Sequence, residues 1–101
     1  MLVKQVSFYD FLEEFEKYGR EEAFSYEAKK ALYEYLNQIS EDLGEQIELD
    51  VISLSCEFTE YDSIEKFIKD YSIDEVKSID DIEYYTVVIR IDKKSFIIKN
   101  F

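Results

Sequence analysis

Carboxylate chemistry is the chemistry this chain has most of: 24 Asp and Glu stand against 12 Lys and Arg, a single Cys and no His. Glu57 with Glu60, and Asp80 with Asp81, are neighbours of the kind that share acid–base work. In so acidic a chain such neighbours arise by chance, and no cleft-forming motif accompanies them, so no enzyme is expected. The absence of His removes the Ser-His and Cys-His nucleophile pairs and the usual zinc ligand. Gly19 and Gly44 stand alone and write no phosphate loop. Asp70, Ser72, Asp74, Val76, Ser78 and Asp81 fall in the register of a calcium loop. Glu75 replaces the Gly that makes its sharp turn, and Asp81 is shorter than the usual bidentate Glu, which rejects the site. No metal and no cofactor are expected.

Composition points to one folded domain spanning 1–101. Nearly half the residues are hydrophobic and 17 are aromatic, nine Tyr and eight Phe, too many for a disordered acidic tail. Cys56 alone makes no internal disulfide and suits a reducing compartment. Its place on an apolar face, far in sequence from any basic cluster, reads as a small core side chain. No apolar run is long enough for a signal peptide or a membrane span, so a cytoplasmic protein is expected.

The elements that must position these residues follow from spacing. Ser7 caps a first helix with Asp10 in a box-like position, and Phe8, Phe11, Leu12, Phe15 and Tyr18 make an aromatic stripe that Gly19 ends. Ser25 caps a longer helix to about Leu43, with Ala28, Ala31, Leu32, Tyr35, Ile39 and Leu43 inward, Lys29 and Lys30 outward, and Gly44 as a left-handed cap. Glu48 to Phe58 alternates Ile52, Leu54, Cys56 and Phe58 with Val51, Ser53, Ser55 and Glu57, which predicts a central strand. Asp62 and Glu65 read as the N-cap and third residue of a capping box, opening a helix whose stripe is Ile64, Phe67, Ile68 and Tyr71. Ser72 to Glu83 reads as a loop, with at most a helical turn over 74–77. Tyr84 to Ile91 and Ser95 to Phe101 read as a hairpin across a turn at Asp92-Lys93-Lys94. Met1 to Val6 is a candidate edge strand. The order is α-α-β-α-β-β, an α+β fold with a three-stranded, mainly antiparallel sheet and helices packed on one face.

The charge is segregated. Residues 41–83 hold 15 acids and three lysines, whereas the other 58 residues hold nine acids and nine bases. Such a run is either a solvated face that keeps the protein in solution or an anionic surface offered to a basic partner. On the second reading the partner-binding residues are Glu57, Glu60, Tyr61, Asp62, Asp74, Glu75, Asp80, Asp81 and Glu83. Rows of carboxylates imitate the charge density of a nucleic-acid backbone. Tyr61, Tyr71, Tyr84 and Tyr85, interleaved with the acids, suit interface anchors or core positions alike. With no basic patch, the chain is not expected to bind nucleic acid itself.

Ser25-Tyr26-Glu27 through Tyr33-Glu34-Tyr35-Leu36, Ile47 to Ile52, Cys56 to Tyr61 and the terminal Ser95-Phe96-Ile97-Ile98 to Phe101 resemble a group of small acidic proteins of phages and prophages. That resemblance implies a bacterial host cytoplasm and an anti-defence role against restriction or CRISPR nucleases; it assigns no site. Together with the segregated charge it points to an inhibitor that occupies the nucleic-acid channel of a basic host protein. The alternative is a regulatory or structural module, homodimeric through an aromatic patch, whose charge serves only solubility. A small enzyme using carboxylates is the third reading and would need a deep pocket of acids with raised pKa values.

Overall fold

The structure, a computed structural model, describes residues 6–45 and 48–101. The chain forms two compact units, residues 1–56 and 57–101. The edge strand expected over Met1–Val6 lies, Val6 apart, outside the described residues.

In the first unit Ser7 caps helix α1 (Phe8–Lys17), exchanging hydrogen bonds with Asp10 in a full capping box. Ser25 caps α2 (Tyr26–Leu43), which stops at Gly44 in the left-handed conformation, φ 68°. The middle of the α1 stripe is core: Phe11 and Phe15 are buried, their rings 5.1 Å apart at the centroids, and Phe15 meets the buried Phe24 edge-on. Tyr18, expected in the stripe, is instead exposed at the helix's C-cap. Tyr33 of α2 packs on Phe8 and Phe11 and donates its hydroxyl hydrogen to the Val6 carbonyl at 2.6 Å.

Two readings of α2 are corrected here. Leu43, placed inward by periodicity, is exposed, because the helix ends beside it. Lys29, placed outward, is buried. Its stem covers the core while Nζ donates to the Glu21 carbonyl at 2.6 Å and lies 5.4 Å from the centre of the Phe15 ring.

The expected central strand over 48–58 is the largest correction. Glu48 to Asp50 are irregular and Val51–Glu57 is a helix, α3. Asp50 decides this: its carboxylate accepts the Ser53 backbone N–H and hydroxyl, each at 3.0 Å, and its carbonyl accepts Leu54 N–H, as an N-cap does. These backbone and hydroxyl bonds from Ser53 hold the Asp50 carboxyl below the usual range. Val51, Leu54 and Phe58 are buried at helical spacing, whereas Ile52 and Cys56, assigned to the core by alternation, are exposed. Strand structure begins only at β1 (Phe58–Tyr61).

The second unit continues with α4 (Ile64–Tyr71), α5 (Ile79–Ile82), β2 (Val88–Arg90) and β3 (Phe96–Lys99). The cap of α4 is Ser63, one residue later than expected, its Oγ accepting Lys66 N–H. The fold is α+β with a three-stranded antiparallel sheet, ordered β1-β3-β2. Two helices more than the spacing predicted are present, α3 and α5, giving α-α-α-β-α-α-β-β. The middle strand is β3, and its consecutive Phe96, Ile97 and Ile98 are all fully buried, as a strand covered on both faces requires. Phe96 and Ile98 join Tyr61, Phe67, Val76, Ile79 and Ile82 in the core of this unit. Ile97, paired with Ile89 on the opposite face, is buried too. Tyr84–Thr86, expected in the first hairpin strand, instead form turns off the end of α5.

Candidate acidic interface

Residues 72–85 position one of the dense groups of acids. Ser72 closes α4 with φ 56°, and Ile73, Val76, Ile79 and Ile82 then turn inward every third residue. That spacing forces Asp74, Glu75, Asp80, Asp81 and Glu83 outward, and all five are exposed. The expected turn falls at Asp74-Glu75, and the remainder of the expected loop contains α5. Ser78 and Asp81 cap that short helix; the Asp81 carboxylate accepts the N–H groups of Lys77 (2.9 Å) and Ser78 (3.2 Å).

Two tyrosines complete the patch. Tyr84 is 94 % exposed, the most open large hydrophobic side chain among the described residues. Tyr85 donates its hydroxyl hydrogen to Glu75 Oε1 at 3.1 Å and stacks 6.0 Å from Phe101, which in turn lies 4.4 Å from Tyr71. Desolvation, then the Glu75 bond and the nearby carboxylates, push the Tyr85 phenol up. Glu75, Asp81, Tyr84 and Tyr85 rim a shallow hollow of about 230 Å³.

The nine residues expected to bind a partner divide. Asp74, Glu75, Asp80, Asp81 and Glu83 lie in this one segment. Tyr61 does not belong with them, which corrects its assignment as an anchor. It is 6 % exposed, stacked on Phe96 and edge-on to Phe67, and its hydroxyl donates to Asp70 at 2.9 Å. Asp62 pairs with Lys66 at 2.9 Å, and that bond holds its carboxyl below the usual range. Glu60 lies on β1 opposite Ile97, on the sheet face away from Tyr61, and Glu57 ends α3. Asp80 and Glu83 are both engaged by Arg90 of β2, a residue the sequence reading passed over. No short-range signal joins residues seven and ten positions apart; only the packing of α5 beside β2 does. The acids at 41–50 belong to the first unit and are not counted with this patch.

Asp70 and Asp81 of the rejected calcium register are committed to Tyr61 and to backbone N–H groups, and Val76 is core. No helix among the described residues is long and apolar enough to cross a membrane. Comparison with protein-family models, curated proteins and solved structures finds no match. What the fold and the patch define is a small α+β protein with an acidic, tyrosine-bearing segment held outward by its own core.

Proposed function

We propose that this is a non-catalytic binding protein, a phage-type inhibitor that acts in a bacterial cytoplasm by occupying the cationic surface of a nucleic-acid-handling defence protein. The reading is carried by one observation: five exposed carboxylates within ten residues, 74–83, adjoining a fully presented Tyr84. Internal pairing narrows the surface, because Asp62 is matched by Lys66 and Arg90 bridges Asp80 and Glu83. Asp74, Glu75 and Tyr84 therefore carry the contact, with Asp81 held back as the cap of α5. Carboxylates facing Lys and Arg steer encounter, so association is fast and falls as salt rises; Tyr84 supplies the apolar area that charge alone lacks.

The test is capture of basic proteins from a bacterial lysate by the immobilised chain, at low and high salt, with Asp74→Lys/Glu75→Lys/Tyr84→Ala alongside. These three positions spare the cap at Asp81 and the Arg90 pairs, so circular dichroism should match the parent. The expected result is a nucleic-acid-binding protein retained at low salt, released at high salt and lost to the triple variant. Equal capture by the variant, or a salt-insensitive homodimer of the chain as the only complex, would overturn the reading.

A further inference from the structure

The second unit also holds a larger groove, about 680 Å³, between the starts of α4 and α5 and the β2–β3 turn. Its charge is opposite to the chain's. Lys77, Arg90, Lys93 and Lys94, four of the chain's 12 basic residues, line it together with Asp62, Glu65 and Asp80. Two of those acids are already matched, Asp62 by Lys66 and Asp80 by Arg90. Among the described residues, Lys77, Lys93 and Lys94 have no carboxylate within 4.0 Å, although Asp92 of the same turn attracts Lys94 from a longer distance. The turn that carries two of them is preset: the Asp92 carboxylate accepts Lys94 N–H at 2.8 Å and Ser95 N–H at 2.7 Å, and Ile91 N–H bonds the Ser95 carbonyl.

We propose that this groove binds a small ligand bearing a di- or triphosphate, held by Lys77, Lys93 and Lys94. The volume lies within the ~300–1,000 Å³ of small-molecule sites. Three ammonium groups call for a multiply charged anion; a single carboxylate would leave two of them unsatisfied. The chain's overall negative charge opposes long nucleic acids, which extend over its whole field. A ligand confined to the groove feels mainly the charges nearest it, and the lining itself carries four bases against three acids. Arg90 is already occupied by Asp80 and Glu83 and serves as a wall. Glu65, the one unmatched acid of the lining, works against an anion and limits its affinity. This site uses other residues and the opposite charge from the acidic segment, so it stands independently of the inhibitor reading.

The test is an amide-shift titration of the isotope-labelled full chain with metal-free ATP and, separately, pyrophosphate, at constant ionic strength. Saturable shifts are expected at residues 63–65, 77–79 and 91–95. The two probes separate a nucleotide from a bare polyphosphate site: tighter binding of ATP assigns a role to the organic part, and equal binding assigns the site to the phosphates. Lys93→Gln/Lys94→Gln should raise Kd by about tenfold, Glu65→Gln should lower it by roughly threefold, and the first unit's Lys17→Gln should leave it unchanged. These exposed positions should not disturb the fold, which the unchanged remainder of the spectrum checks. No saturable shift by either probe up to roughly 1 mM, the weak limit of useful affinity, would overturn the site. So would equal loss of affinity in Lys17→Gln, or no loss in the double variant.

Discussion

Tyr61→Phe should weaken the fold by about 1 kcal/mol and leave partner capture untouched, while Tyr61→Ala should cost about 4 kcal/mol. The smaller figure comes from the hydroxyl. It donates to Asp70 at 2.9 Å, and a bond to an ionised acceptor contributes roughly 1.5–3 kcal/mol when shielded. Asp70 is exposed and recovers water when the phenol is removed, so the lower end or less applies. The larger figure comes from the ring, which lies 5.7 Å from Phe96 and 5.8 Å from Phe67 in a core where large-aromatic-to-Ala changes cost ~3–5 kcal/mol. Urea unfolding followed by circular dichroism reads both; with a slope of ~1–2 kcal/mol/M, Tyr61→Phe moves the midpoint by roughly 0.5–1 M. Asp70→Asn supplies the other arm of a double-mutant cycle, and the two changes together should cost less than their sum. Alkaline pH gives a second reading of the same group. Burial first, and then the Asp70 bond, push the Tyr61 phenol well above its ordinary 10.0. The unfolded chain therefore loses this proton before the folded one does. Its contribution is complete below pH 10 and is lost as pH rises towards the folded value, a slope that Tyr61→Phe should remove. If Tyr61→Phe abolished capture and left the urea midpoint where it was, the ring would be an anchor at the interface and the packing argument would fail.

The β2–β3 turn should show the reverse pH dependence. Backbone N–H groups of Ser95 and Lys94 hold the Asp92 carboxyl below the usual range, so its contribution is present above the unfolded value near ~3.9 and is lost as pH falls through the folded one. Asp92→Asn should flatten that part of the acid limb in thermal scans, and an unchanged limb would mean the turn is not held by the charge. Gly44→Ala should lower stability by about 1 kcal/mol, or ~4–8 °C in Tm. Nothing lies within 4 Å of an added Cβ there, so the cost is the φ of 68° alone; an unaltered Tm would contradict a left-handed end to α2.

Some of the signals that act within four residues were legible in the chain itself, whereas the equally local Asp50 and Ser78 caps were not read. Ser7 with Asp10, Ser25 and Gly44 bound α1 and α2 where the spacing put them, because a cap and its partner N–H or C=O are near neighbours whatever the rest of the protein does. Phe67 and its stripe, the antiparallel pairing of the last two strands and the α+β class were equally readable. Val51 to Phe58 was not. Its apolar residues satisfy a period of two through Ile52, Leu54 and Phe58, and a helical one through Val51, Leu54 and Phe58. What breaks the tie is the Asp50 cap together with burial, which no periodicity contains. The burial of Lys29, the commitment of Tyr61 to the core, and Arg90's hold on Asp80 and Glu83 were likewise decided only when distant segments packed. Composition determines how much negative charge this protein carries; tertiary structure decides which carboxylates face solvent unopposed, because Coulomb neighbours are set by distance in space and not by position along the chain.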